Sequence, residues 1–234
     1  MRQTFMQSVD RRSLTTIVLD LDGPLLDGMH RHYHCYREIL TENGFHPIPL
    51  DLYWELKRNR IDRRQLLYLS NATEFYDQFL STWIERIETK EYLALDRLQN
   101  NIIDILTTWK RNGIRLMLAT MRKNPTNLHW QLGKLGIAHL LDDVIVVGNA
   151  RNDVSKASQI KLLLRNAPLQ EIIWIGDTEV DILAAREAGV RVCALTCGLR
   201  TKEYLASLLP DLLENDLNSF FTGWLKHDQK LSDC

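Results

Sequence analysis

Five short runs rich in Val, Ile and Leu set the main constraint on this chain: TTIVLDL (15–21), IRLMLAT (114–120), DVIVVG (143–148), EIIWIGD (171–177) and VRVCALT (190–196). Runs without polar alternation suit strands buried on both faces, as in a parallel sheet covered by its crossover helices. Helical patterns lie between them. Leu98, Ile102, Ile105, Leu106 and Trp109 share one face that stops at Asn112-Gly113, a C-terminal helix signal. Ile160, Leu163 and Leu164 precede the fourth run, and Ala184, Ala185 and Ala188 lead to Gly189 and the fifth. The repeat of strand, helix and strand predicts an α/β fold built on a doubly wound parallel sheet.

Residues 28–97 break the rhythm and contain no strand pattern. Phe75, Phe79, Leu80, Trp83, Ile84 and Ile87 recur at helical spacing, and MHRHYHCYREILTENG forms a second candidate helix closed by Asn43-Gly44. The aromatic stripe predicts core packing rather than a cofactor box. The chain thus reads as a core of residues 1–27 and 98–234 with a helical insertion over 28–97.

Charge and cysteine usage exclude several classes. Lys+Arg 29 against Asp+Glu 30 leaves a net charge of −1, which gives no general attraction to nucleic acid or anionic membranes. Cys35, Cys193, Cys197 and Cys234 are scattered without a companion His cluster, so they read as reduced thiols rather than zinc ligands. No apolar run approaches the roughly 18 residues of a membrane span. MRQTFMQSVDRRS lacks the apolar middle of a secretory signal, and a cytoplasmic protein is expected.

The acids at the strand ends carry the chemistry. The first run ends in Asp20 and Asp22 before Gly23 and Pro24, and the fourth ends in Asp177 with Asp181 four residues later. In open α/β sheets ligands bind beyond the carboxyl ends of the strands. Unpaired carboxylates crowded there are costly unless a cation or proton neutralises them. An all-oxygen set with no His or Cys suits a hard ion such as Mg²⁺, which commonly accompanies phosphate.

On these residues the chain resembles the haloacid dehalogenase (HAD) superfamily of phosphohydrolases, and within it phosphoglycolate phosphatase-like members with a helical cap inserted after the first motif. TIVLDLDGPLLD matches the first motif, RLMLAT the second with Thr120, VSKASQIKLLL the third with Lys156, and GDTEVD the fourth. The resemblance spans Thr15 to Phe221 and implies a Rossmann-like catalytic core. It implies that Asp20 attacks phosphorus to form an aspartyl-phosphate and that Asp22 is the general acid and base. It implies that Thr120 and Lys156 bind the phosphoryl oxygens, with Lys161 a rival disfavoured by its spacing to GDTEVD. It further implies Mg²⁺ held by Asp20, the Asp22 carbonyl and Asp177, with Asp181 orienting Lys156 or a metal-bound water. The partner so implied is a small phosphorylated metabolite, without nucleic acid or membrane, for a monomer or homodimer. Pro24 departs from the family's usual Thr and puts the turn after the acids in doubt. Arg122 reads as a solvated surface arginine in preference to one that reaches a substrate anion.

Substrate choice in this family is attributed to the cap. There KRNRIDRR (57–64) would suit a second phosphate or carboxylate, against the plainer reading of a solvated helix and loop. His30, His32 and His34 lack a carboxylate at metal-site spacing. Two other functions share the scaffold: a phosphomutase, and a non-catalytic protein that binds a phosphate ligand.

Overall fold

The computed structural model describes residues 14–147, 156–164 and 167–229. Six parallel strands form the main sheet: β1 (Thr16–Leu19), β4 (Arg115–Thr120), β5 (Asp143–Val146), β6 (Ile172–Gly176), β7 (Arg191–Leu195) and β8 (Leu212–Glu214). Their order is β5-β4-β1-β6-β7-β8. The chain steps outward from β1 through β4 to β5, then returns to the other side of β1, so the order reverses beside β1. The five runs read from sequence supply five of these strands, and residues of PDLLEND supply the sixth.

Period-two side-chain alternation divides the sheet's core in two. Ile17 and Leu19 pack with Leu106, Trp109, Leu116 and Phe220 on one face. There lie α6 (Ile102–Arg111), α7 (Pro125–Lys134) and α11 (Leu217–Gln229). Val18 packs with Met117, Ala119, Trp174 and Ala185 on the other, beneath α8 (Lys156–Leu163) and α9 (Glu179–Ala188). Gly113 takes φ +75° just past the end of α6, which is why Asn-Gly marks that helix end. Trp109 is fully buried, with Phe220 and Phe221 edge-on at 6.1 and 5.8 Å. Its Nε1 has no hydrogen-bond partner among the described residues. Trp109→Ala should therefore lower unfolding stability by about 3–5 kcal/mol through the cavity it leaves. Trp109→Phe should recover most of that loss in urea titrations, and equal losses in the two variants would refute a packing role.

The inserted segment is helical: α1 (Met29–Glu42), α2 (Leu50–Arg58), α3 (Arg63–Tyr68), α4 (Tyr76–Arg86) and α5 (Lys90–Leu93). Cys35, Tyr36, Ile39, Tyr53, Leu67, Phe79 and Trp83 form a core of its own. Tyr36 stacks on Tyr53 at 4.6 Å and hydrogen-bonds Ser70 Oγ at 2.6 Å. The chain enters and leaves this segment through a ribbon that sequence periodicity missed, β2 (Leu26–Asp27) antiparallel to β3 (Arg97–Leu98). Two-residue strands are too short to carry a period. The short helix α10 (Lys202–Ser207) follows β7 and completes the core.

The basic stretch 57–64 is not simply a solvated face. Arg58 Nη2 donates to the carbonyls of Thr196 and Arg200 at 2.7 and 3.2 Å, and Arg60 Nη1 donates to the Tyr204 hydroxyl at 2.6 Å. On the opposite side, the Glu88 carboxylate accepts the backbone N–H groups of Lys123 and Asn124 ahead of α7. The helical segment is thus clasped to the core at two places.

Candidate active site

Register places the acids together. Leu19 sits level with Leu118 of β4 and Ile175 of β6, so Asp20 emerges beside the strand ends that carry Thr120 and Asp177. Carboxylate oxygens of Asp20, Asp177 and Asp181 lie within 4.8 Å of one another, and all three residues are buried. Asp177 Oδ2 accepts the Leu199 N–H at 2.5 Å, whereas its Oδ1 is buried with no hydrogen-bond partner among the described residues. Burial pushes the Asp177 carboxyl well above the usual range, and the neighbouring Asp20 and Asp181 push it further. Crowded buried oxygens with one left orphaned fit a hard divalent cation.

Small residues make this crowding possible. A Cβ on Gly198 would lie 1.9 Å from Asp177 Oδ2, and one on Gly176 would lie 2.3 Å from Asp181 Cγ. Gly23, at φ +100°, brings its backbone against the Asp177 carboxyl group. The turn tolerates Pro24, because the Leu25 and Leu26 N–H groups both reach the Leu21 carbonyl and residue 24 need donate nothing. Asp181 is fixed in turn: its Oδ2 accepts from Thr178 Oγ1 at 2.8 Å and its Oδ1 from Trp174 Nε1 at 3.4 Å. Cys197 also borders the site. Burial and then Asp177 push its thiol up to about 12, which disfavours the reactive thiolate.

Asp22 stands apart from the three clustered carboxylates. Its Oδ2 accepts from Arg122 Nε and its Oδ1 from Arg122 Nη2, both at 2.8 Å. Arg122 is 5% exposed, so the expected surface arginine is instead a buried partner of Asp22. Its backbone N–H reaches Thr120 Oγ1 at 3.4 Å, and Thr120 itself is buried at the end of β4. Lys156 opens α8, with its side chain outside the described residues, while Lys161 is exposed further along that helix.

A pocket beside Asp22 is lined by Gly23, His32, Trp54, Cys197 and Gly198. His32 stacks on Trp83 at 5.7 Å, and its Nδ1 is buried without a partner among the described residues. Lys57 Nζ lies 5.6 Å from the Trp83 ring centroid and Arg63 lies 5.5 Å from it. Burial lowers the Lys57 ammonium to about 7, with Arg63, Arg31 and Arg200 adding repulsion against a weaker opposing pull from Asp22. Lys57 and Arg63 line a second, aromatic pocket within the helical segment, with Tyr36, Tyr53 and Trp83, and among the described residues no carboxylate pairs with Lys57.

A family profile described as haloacid dehalogenase-like hydrolase matches residues 14–189. The chain is 22% identical over 227 residues to the pyrophosphatase PpaX of Oceanobacillus iheyensis, covering 90% of this chain and 96% of that protein. It is 27% identical over 219 residues to phosphoglycolate phosphatase 1 of Pseudomonas aeruginosa, covering 86% and 76%. Among solved structures, a HAD family hydrolase from Deinococcus radiodurans R1 with bound phosphate and sodium superposes with a TM-score of 0.71 at 15% identity, covering 93% and 97%.

Proposed function

The chain belongs to the haloacid dehalogenase-like hydrolases, and from that membership we propose that it is a Mg²⁺-dependent phosphatase of a small phosphorylated metabolite. The observation that carries this reading is the meeting of Asp20, Asp177 and Asp181 at adjacent strand ends, with Asp177 Oδ1 orphaned. We assign residues 1–27 and 98–234 to the catalytic core and 28–97 to the cap. Asp20 attacks phosphorus while Asp22 gives a proton to the leaving oxygen; Asp22 then takes a proton from the water that hydrolyses the aspartyl-phosphate. Thr120 donates its hydroxyl to a phosphoryl oxygen, and Lys156 supplies fixed positive charge there. Asp20, Asp177 and the Asp22 carbonyl, supported by Asp181, would hold Mg²⁺, which when bound offsets phosphoryl charge.

The cap favours a substrate whose leaving group carries a second anion, because Lys57 and Arg63 line an aromatic cap pocket whose Trp83 stacks on His32 of the pocket beside Asp22. The names of the pyrophosphatase and phosphoglycolate phosphatase relatives are consistent with this. The experiment is phosphate release, with and without Mg²⁺, from p-nitrophenyl phosphate, pyrophosphate, phosphoglycolate and simpler alkyl phosphates. Metal-dependent release supports the reading, whereas tight Mg²⁺-dependent phosphate binding without turnover of any substrate would replace it with a binding role. Appearance of an isomeric phosphate ester would identify a mutase.

Lys57 adds a pH dependence. Its lowered value of about 7 means that it is charged below pH 7 and neutral above. KM for a substrate with a second anion should therefore rise about tenfold as pH increases through 7, the loss of one charge-assisted contact. Lys57→Met should have the high KM throughout and no such rise, and a parallel pH profile in the two proteins would remove Lys57 from recognition.

A further inference from the structure

Four side chains from distant parts of the sequence, Asp22, Arg31, Asp96 and Arg122, close a ring. Arg122 holds both Asp22 oxygens through Nε and Nη2, and the same Nη2 reaches Asp96 Oδ2 at 3.2 Å. Arg31, near the start of α1, donates from Nη2 to Asp22 Oδ1 at 2.5 Å and from Nε to Asp96 Oδ1 at 2.8 Å. Carboxylate and guanidinium thus alternate, and each arginine bridges both acids. Gln131 Nε2 anchors the far side, donating to Asp96 Oδ2 at 2.8 Å and to the Leu93 carbonyl at 2.9 Å.

The burial of the four is unequal, and that inequality indicates the ring's purpose. The side chains of Asp96, Arg31 and Arg122 are 0%, 3% and 5% exposed, while that of Asp22 is 23% exposed and borders the pocket. Buried charges need partners, and for Asp96 the Arg31 and Gln131 contacts already provide them. Arg122 instead gives its rigid two-pronged face to the one acid that opens onto the pocket. A planar fork fixes both the place and the plane of a carboxylate, which a single ammonium cannot do. The surroundings are tight as well: a Cβ on Gly28 would lie 3.2 Å from Arg31 Nη2 and 3.5 Å from Asp96 Oδ1.

We propose that Arg122 is a positioning residue for proton transfer at Asp22, held in place by Asp96 and assisted by Arg31; this rests on the phosphatase reading above. In the first half-reaction the bond from Asp20 oxygen to phosphorus forms, the bond from phosphorus to the leaving oxygen breaks, and the Asp22 proton moves to that oxygen. In the second the bond from water oxygen to phosphorus forms, the aspartyl oxygen–phosphorus bond breaks, and the water proton returns to Asp22. Both transfers need the Asp22 oxygen at a fixed distance and angle, and small misplacements of a reacting group are costly.

The test compares wild type, Arg122→Gln and Arg122→Lys on two substrates by rapid mixing. One is p-nitrophenyl phosphate, whose leaving group departs without a proton; the other is the best alkyl phosphate from the panel above, whose leaving group requires one. For Arg122→Gln on the aryl substrate we expect a burst near one p-nitrophenol per enzyme, then turnover about 10²-fold slower than wild type with KM little changed. The alkyl substrate should show the same scale of loss in kcat without a burst. Arg122→Lys keeps the charge but not the fork, should fold if Arg122→Gln does not, and should show the same signature more weakly. Equal losses on both substrates without a burst, a change confined to KM, or full activity in Arg122→Lys would overturn the proposal and leave Arg122 a structural counter-ion. Those outcomes require an active wild type; a wild type inactive on both substrates overturns the phosphatase reading itself and this proposal with it.

Discussion

Asp20→Asn should abolish phosphate release, by at least about 10⁴-fold, while the protein keeps its fold. The expected size follows from the role, because an amide is no nucleophile toward phosphorus and no neighbouring group replaces it on a covalent route. Retention of the fold follows from the surroundings. Asp20 shares its position with Asp177 and Asp181, whose carboxylate oxygens lie within 4.8 Å of its own. Removing one of three crowded charges relieves repulsion, so the metal-free variant should melt at a temperature no lower than metal-free wild type. Phosphate release and circular-dichroism melting measure the two halves. Residual turnover within tenfold of wild type would assign the attack to another group.

Gly198→Ala should disable the site without touching any charged residue. Its new Cβ would fall 1.9 Å from Asp177 Oδ2 and 2.5 Å from Cγ, distances no side chain can share. The Asp177 carboxyl must turn away or the 197–199 loop must lift, and Leu199 then loses its N–H contact to Asp177 Oδ2. Either movement spoils the oxygen cluster, so Mg²⁺ affinity and turnover should each fall about 10²-fold. Gly133→Ala is the control: Gly133 lies inside α7 with nothing within 4 Å of its ideal Cβ. That change should leave metal binding intact and raise stability by about 0.5–1 kcal/mol. Metal titration calorimetry on both variants decides the matter, and an unchanged affinity in Gly198→Ala would show that the loop yields freely.

What the sequence made legible was local. The gathering of Asp20, Asp177 and Asp181 could be expected because each lies at a strand end or in the turn that follows, where spacing fixes direction. The paired strands and Asn112-Gly113 were legible for the same reason. Arg122 was misread because its partners are not local: Asp22 lies 100 residues away in sequence and Asp96 lies 26 away, while Arg31 and Asp96 are separated by 65. A signal was present, since Arg122 follows the apolar strand end at Thr120 by only two residues, but an isolated charge after a strand is usually solvated. The basic stretch 57–64 was only half legible. Its composition offered either a second anion or a solvated face, and α2 ends at Arg58 while Arg60 adopts φ +63°, so neighbouring cations leave in different directions. Lys57 and Arg63 line the aromatic pocket within the helical segment, whereas Arg58 and Arg60 hold the core.

The antiparallel pairing of Leu26 with Leu98 and Asp27 with Arg97 means that the helical segment departs and returns at neighbouring positions. Its interposed length is therefore unconstrained by the sheet, since the distance its two ends must span is that between paired strands however many helices lie between them. Such a junction makes the segment an exchangeable part. A foreign helical bundle joined at Asp27 and Arg97 would preserve the strand ends that gather Asp20, Asp177 and Asp181. It would, however, arrive without Arg31 and Asp96, so a graft that carries those two residues with it should outperform one that does not.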